Sequence, residues 1–455
     1  MFLKNLKSQR GWLIYKKEGI HIAHKGGKEG EMITRREFLK YSALSGLALG
    51  TVLGDYSPAY GQLKIKGPIK IGGQGATSGA HADYGWQMMA GATLAIEEVN
   101  AKGGILRNKL ELKFMDEELK PATAVKNARY LVTEWGAHFL FGVDSSGSAM
   151  AVGPVLAELD RLHFFTHAAT HRLTEDLVAE KGIKQIFRMT VPVYQDSILA
   201  AMIFKDFPEV KRWAGINADY EYGVVAWNLF KETLKKYRPD VEFVAAAWAP
   251  FWTMDFSPHI SAVMAEKPDA IFATPWAGEG VMLLRQALLL GVFDQIKAWW
   301  QAMGGSVDLL EGISREVAAD KFKRKLWATA RYIHNYPDTP ENKAFVERFR
   351  KRWGRFPNYS AEGSYSAIYV IKRAVEKARS LETPKLVAAI EGMDIMTPAG
   401  IRHFRKEDHQ AIYTVPGGRV TSNPAYPLPV LGDLKVVPAK EYYRYPPFTP
   451  VAVTK

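Results

Sequence analysis

The sequence predicts an α/β protein built as two doubly wound parallel-sheet lobes. The first observation behind this is alternation: short apolar runs and helix-period segments take turns from residue 69 to residue 330, the pattern of parallel sheets covered by helices. The second is the stretch Phe139 to Thr170, which reads as apolar run, small polar turn, helical segment, second apolar run, second small polar turn. In a parallel sheet such turns lie at the carboxyl ends of strands, where ligands bind. The third is length: 455 residues exceed what one core organises, so two or more domains are expected.

Composition narrows the class. Hydrophobic content of 47% and charged content of 24% are ordinary for a folded, water-exposed protein. The chain has no cysteine, which excludes disulfides, thiolate metal sites, a thiol nucleophile and a lipid-bearing cysteine. The net charge of +12 is inflated by residues 1–61, which carry ten Lys/Arg against five Asp/Glu. The remaining charges are interspersed, so no nucleic-acid footprint is present.

Residues 1–61 read as a leader. Thr34-Arg35-Arg36-Glu37-Phe38-Leu39-Lys40 precedes an apolar run from Tyr41 to Leu53 and resembles the bacterial twin-arginine signal. The run is too short to span a membrane comfortably and breaks at Gly54-Asp55. Cleavage is expected near Ala59-Tyr60-Gly61, with Met32 as an alternative start. The mature chain would be exported folded by the twin-arginine translocase and work outside the cytoplasm without a lipid anchor.

The elements follow in order. Ile69 to Gly72 is a strand, Gly72 to Asp83 a Gly-rich loop, and Tyr84 to Ala101 a helix with Met88, Ala92, Ala95, Ile96 and Val99 at helical spacing. Leu110, Leu112 and Phe114 alternate as a strand; Pro121 opens a helix. After Gln185 to Met189 the pattern repeats, with strands at Trp213 to Ile216, Val241 to Trp248, Ala270 to Thr274, Lys297 to Gln301 and Leu326 to Ala330. Beyond Tyr332 come helices over Glu341 to Trp353, Ala361 to Ser380 and Pro384 to Glu391. The tail from Thr414, rich in Pro, Gly and Tyr, is expected to be irregular.

An ordered set of residues carries a family likeness: Ile69-Lys70-Ile71-Gly72, Gly79, Tyr84-Gly85, Gly91, Asn100 to Ile105, Gly142, Ser146, Ala169-Thr170, Tyr222-Gly223, Asp255-Phe256-Ser257 and Leu284 to Ala287. Over residues 62 to about 410 the chain resembles the periplasmic solute-binding proteins of branched-chain amino acid ABC transporters. The resemblance implies the type I periplasmic binding protein fold, two lobes joined by three hinge strands and closing on a ligand. It implies a first lobe of 62–190 and 331–400, and a second of 191–330 and 401–455. It also implies a small-molecule solute (amino acid, amide or related carboxylate), an ABC permease as partner, a monomer, and no enzyme activity, cofactor or metal. A sensor for a signalling receptor and an extracytoplasmic amide hydrolase are the alternatives.

The same resemblance maps ligand contacts. Ser146, the backbone of Ala168 and Ala169, and Thr170 would hold a carboxylate, in agreement with hydroxyls and helix-terminal N–H groups at those turns. Tyr84, Tyr222 and Trp276 would flank the ligand. Relatives that bind α-amino acids carry a glutamate where this chain has Met303. Burying an ammonium without an anion is costly, so either Asp219 or Glu279 substitutes, or the ligand lacks an ammonium and is larger or aromatic.

Other motifs weigh less. Ser146 with Asp144 and His167 could suggest a nucleophile, but there is no Gly-x-Ser-x-Gly elbow and sequence proximity is not triad geometry. His163, His167 and His171 lie four apart, but on a strand and loop rather than a helix. The Gly72 to Gly79 loop lacks the ending that a phosphate loop requires.

Overall fold

Ile69–Gly75 (β1) is an interior strand of the first sheet and is buried along almost its whole length. A strand covered on both faces favours apolar or small residues over alternation, and IKIGGQG supplies them at all positions but Lys70, which is half-buried, and Gln74. The computed structural model describes residues 7–8, 11–16, 19–23, 63, 65, 67–79 and 81–455. Two units separate, Met1–Gly61 and Gln62–Lys455. The first holds a three-stranded antiparallel sheet of Lys7–Ser8, Gly11–Lys16 and Gly19–Ala23. The twin-arginine motif, its apolar run and the cleavage site lie outside the described residues.

In the larger unit, α1 (Ala82–Ala101), β2 (Leu110–Asp116), α2 (Pro121–Thr133), β3 (Phe139–Gly142), α3 (Ser146–Leu159), β4 (Leu162–Phe165) and β5 (Ile186–Arg188) follow β1. Their strands form a parallel sheet ordered β2-β1-β3-β4-β5. A second sheet follows from α4 (Tyr194–Phe204), β6 (Arg212–Ala218), α5 (Glu221–Tyr237), β7 (Glu242–Ala249), α6 (Ser257–Met264), β8 (Ala270–Ala273), α7 (Ala277–Leu289), β9 (Ala298–Gln301) and β10 (Leu326–Thr329). The chain then returns to the first sheet, where α11 (Pro340–Trp353, following the three short helices Val292–Gln295, Val307–Gly312 and Ser314–Ala318 as α8 to α10) precedes α12 (Tyr359–Ala378) and α13 (Thr383–Ile390).

The end of the chain differs from expectation. Asp394–Thr397 (β11), Gly400–Phe404 (β12) and Ala411–Ile412 (β13) form a small antiparallel sheet. Gln410 bridges Arg188 on β5, and the His409 ring stacks on Phe187 at 4.2 Å, so this segment lies on the first sheet. The tail is not irregular throughout: Pro416–Thr421 (β14) extends the second sheet antiparallel to β10, and Val430–Val436 (β15) pairs antiparallel with β14 at the edge. Its Pro416-Gly417-Gly418 opening hid the strand from pattern reading, because glycine and proline mark turns. The glycines serve close packing instead: a Cβ on Gly417 would sit 2.4 Å from Ile203.

Helices α1 and α12 pack so closely that a Cβ on Gly91 would lie 2.0 Å from the Ala361 carbonyl oxygen. Gly91→Ala must force the two helices apart. The expected loss is about 1–3 kcal/mol, read from urea denaturation; an unchanged midpoint would show that α12 can shift freely.

The chain therefore crosses between sheets three times, after β5, after β10 and after β13. Arg331 ties these crossings together. Its Nη2 lies 3.4 Å from Asp196 at the first crossing, and its carbonyl accepts from the Tyr413 hydroxyl at the third (3.1 Å).

Candidate functional site in the interlobe cleft

The cleft is assembled from turns at the carboxyl ends of strands. After β3, Val143 takes a left-handed backbone (φ 68°), strained for a β-branched residue, and turns Asp144 inward. Ser145, not Ser146, caps α3, its hydroxyl accepting from Ser148 N–H at 3.0 Å. That leaves Ser146 at the cleft wall. The first lobe contributes Asp144, Ser146, His167 and Ala169; the second contributes Tyr220, Tyr222, Trp276 and Met303; Arg331 stands at the crossing between them. Met303 also holds a left-handed backbone (φ 57°), and such strain is kept where surrounding packing fixes it. The space these residues enclose admits on the order of one water molecule, so the lobes stand closed on each other.

Of the residues expected at the ligand, Ser146, Ala169, Tyr222, Trp276 and Met303 come together here. Ala168 packs in the core behind the turn. Thr170 directs its hydroxyl to the Glu221 carboxylate across the cleft. Tyr84 stands behind Trp276, edge-on at 5.1 Å, with its hydroxyl donating to Asp308 at 2.9 Å. Asp219 pairs with Lys455. Glu279 accepts the Trp252 backbone N–H and does not line the cleft. Tyr220 and Arg331 were not singled out by sequence reasoning, and Asp144 only as a nucleophile's partner. An arginine directly after an apolar strand end, as in Leu326 to Arg331, was the available signal.

The electrostatics follow from burial. His167 is held well below the usual histidine range, by burial first and by Arg331 and His81 next, so its ring is neutral. Its nitrogens are taken by Ser360 (2.9 Å) and Tyr359 (2.8 Å) rather than by Ser146. Asp144 is pushed well up by burial and by Glu117; Glu117 itself is raised by burial to about 7. Burial opposes charge on Arg331, but Tyr359, Asp196 and Tyr222 outweigh it and keep the guanidinium protonated. Its Nη1 donates to the His167 carbonyl at 2.7 Å. His163 is stacked on Phe165 inside β4, and among the described residues no cluster of three His or carboxylate groups is arranged for a metal.

Contacts across the cleft mouth hold the closed form: Thr170 and Arg172 (3.4 Å) on Glu221, and Tyr84 on Ser306 (3.1 Å) and Asp308. Arg172 and Glu221 are partly exposed, so screening limits their value. Glu221→Gln is expected to weaken ligand affinity by roughly fivefold and to raise the radius of gyration in small-angle scattering. No change in either would assign closure to the aromatic contacts alone.

The geometry, two α/β lobes closed over a small cleft at their strand ends, defines a binding protein. The chain belongs to the family described as Periplasmic binding protein, whose model matches residues 68–424, and its fold is the type I periplasmic binding protein fold. It is similar to the Leu/Ile/Val-binding protein BraC3 of Rhizobium johnstonii, 30% identical over 346 residues, covering 73% of this chain and 86% of that protein. The Leu/Ile/Val-binding protein of Escherichia coli K12 is 27% identical over 295 residues, 65% of this chain and 75% of that protein. Among solved structures, an ABC-type branched-chain amino acid transporter protein from Rhodopseudomonas palustris CGA009 matches with a TM-score of 0.65 and 26% identity, covering 82% and 98%. A solute-binding protein of an ABC transporter from R. palustris BisB5, in complex with 3,4-dihydroxybenzoic acid, matches with a TM-score of 0.72 and 21% identity, covering 81% and 97%. This chain is a periplasmic solute-binding protein of the class that serves ABC importers.

Proposed function

We propose that the protein captures a small carboxylate with a large apolar or aromatic body by hinge closure and delivers it to an ABC permease. The observation that carries this reading is Arg331, the one cation among the described residues lining the cleft, in a wall it shares with Trp276, Tyr220 and Tyr222 and with its guanidinium 6.0 Å from the Tyr222 ring. A buried, permanently charged guanidinium favours an anion, and Ser146 offers a hydroxyl at the start of α3. Relatives named for leucine, isoleucine and valine are consistent with a carboxylate ligand. The mobile bodies in this reading are a first lobe of 63–190 with 331–412 and a second of 191–330 with 416–436. The protein acts as a monomer, without cofactor and without catalysis, after export by the twin-arginine translocase and cleavage near residue 61.

Native mass spectrometry of the purified protein identifies any retained solute. A thermal-shift panel of leucine, phenylalanine, benzoate, 4-hydroxybenzoate and their amides then tests the class. At least one carboxylate should raise the midpoint well above its amide; amides equal to acids would defeat the reading. For export, Arg35→Lys with Arg36→Lys is expected to keep the uncleaved chain in the cytoplasm, checked by fractionation and N-terminal sequencing. Normal export of that variant would point to another route.

A further inference from the structure

We infer that Asp144 receives the ammonium group of the ligand, so that both poles of an α-amino acid are held on one turn of the first lobe. The inference rests on the carboxylate reading above and adds to it which carboxylates are chosen and by which residue.

Among the described residues the second lobe lines the cleft with Tyr220, Tyr222, Trp276 and Met303 and with no carboxylate. The acids of that side are engaged elsewhere: Asp219 with Lys455, Glu279 with the Trp252 backbone, Glu221 with Thr170 and Arg172, and Asp308 with Tyr84. An ammonium taken into this cleft must find its counter-charge on the first lobe. Asp144 is buried to 2% exposure and lines the cleft. Its Oδ2 accepts the Ala76 N–H, and its own N–H donates to Glu117 at 2.6 Å. Its Oδ1 has no hydrogen-bond partner and stands 3.2 Å from the neutral His167 ring. A buried carboxylate oxygen without a partner is costly unless something supplies one. Val143, immediately before it, holds a left-handed backbone.

The spacing selects a zwitterion. Ser146 follows Asp144 by two residues on the same turn, at the start of α3. The α-ammonium and α-carboxylate of an amino acid are separated by a single carbon, so one acid beside one anion-favouring hydroxyl matches both. A plain carboxylate at Ser146 brings no counter-charge for Asp144.

The groups facing Asp144 are Asp116 at the end of β2 and Glu117 just after it, His167 from the turn after β4, and Tyr359 from α12. Arg331 reaches the His167 carbonyl, not Asp144. No side-chain cation among these contacts neutralises the Asp144–Glu117 pair, which is why burial raises both. A bound ammonium supplies the missing charge and favours ionised Asp144. Binding therefore releases a proton, and affinity for an amino acid rises with pH as the pair ionises.

The test is calorimetry on the purified full chain, comparing L-phenylalanine with 3-phenylpropanoate and L-leucine with 4-methylpentanoate, with benzoate as an acid without an amine. In the wild type the preferred amino acid should bind at least about tenfold tighter than its deaminated analogue, with proton uptake by buffers of differing ionisation enthalpy. In Asp144→Asn that preference should collapse while the analogue binds as well or better. Wild-type binding confined to acids lacking an ammonium overturns the inference and leaves the carboxylate reading standing, as does an Asp144→Asn variant that keeps the preference. If no carboxylate binds, the carboxylate reading itself fails. The wild-type comparison stands on its own should the variant not fold.

Discussion

Arg331→Met is expected to lower unfolding stability by about 3 kcal/mol at neutral pH, and by less in mild acid. The guanidinium is buried between the rings of Tyr222 and Tyr359, at 6.0 and 5.1 Å, and faces Asp196 at 3.4 Å. Methionine fills much of the volume but leaves the Asp196 carboxylate with only Tyr222 (3.0 Å) and Gln195 (3.1 Å). Burial already raises Asp196 above the usual aspartate range, and Arg331 opposes that rise. Without Arg331 the folded-state pKa climbs further. The folded variant then holds a proton that the unfolded chain releases, so its stability falls as pH rises through the window between the two values. Urea denaturation at pH 5 and pH 8 reads this directly. An equal deficit at both would mean that the loss comes from packing rather than from an uncompensated charge. Because Arg331 also binds the His167 carbonyl and receives Tyr413 at the third crossing, ligand affinity should fall in the same variant.

Trp276→Ala is expected to leave the fold standing while lowering ligand affinity by more than roughly a hundredfold. Its ring, carried by the second lobe, reaches His81 at 4.2 Å, Tyr84 at 5.1 Å and His167 at 5.4 Å, all on the first. Its Nε1–H donates to the Tyr220 hydroxyl at 3.1 Å, which fixes its orientation. Removing it takes away ligand-facing surface and the aromatic contact that spans the cleft. Each sheet keeps its own helices, so the thermal midpoint without ligand should move little. Titration calorimetry and small-angle scattering separate the two effects. An unchanged affinity would place Trp276 in packing alone, and partial recovery in Trp276→Phe would support a stacking role.

The lobes and the strand-end turns were legible because the relevant signal is local. Phe139-Leu140-Phe141-Gly142 must be a buried strand stopped by a turn, and the same logic finds Trp276 at the end of β8. What escaped reading is non-local. Thr170 bonds to Glu221 from the other lobe, Asp219 to the far C-terminal Lys455 and Tyr84 to Asp308, and no period or motif in one segment announces such partners. Arg331 escaped for a related reason. A single arginine after a strand is ordinarily a solvated end, and only three converging chain crossings bury it. The β14 strand was hidden by its glycines, which pattern reading treats as breakers and the fold uses for close approach to Ile203.

The contact between α1 and α12 has a consequence for biosynthesis. The first sheet is complete once residue 188 has been made, yet the buried face of α1, with Met88, Ala92, Ala95 and Ile96, waits for a helix that ends at Ala378. The second sheet likewise waits for β15 before its edge is finished. A nascent chain would thus carry bare apolar helix surface through most of its synthesis, a state prone to aggregation. Ribosome-arrested chains ending before residue 359 should be captured by holdase chaperones, and those extending well past residue 436 should not.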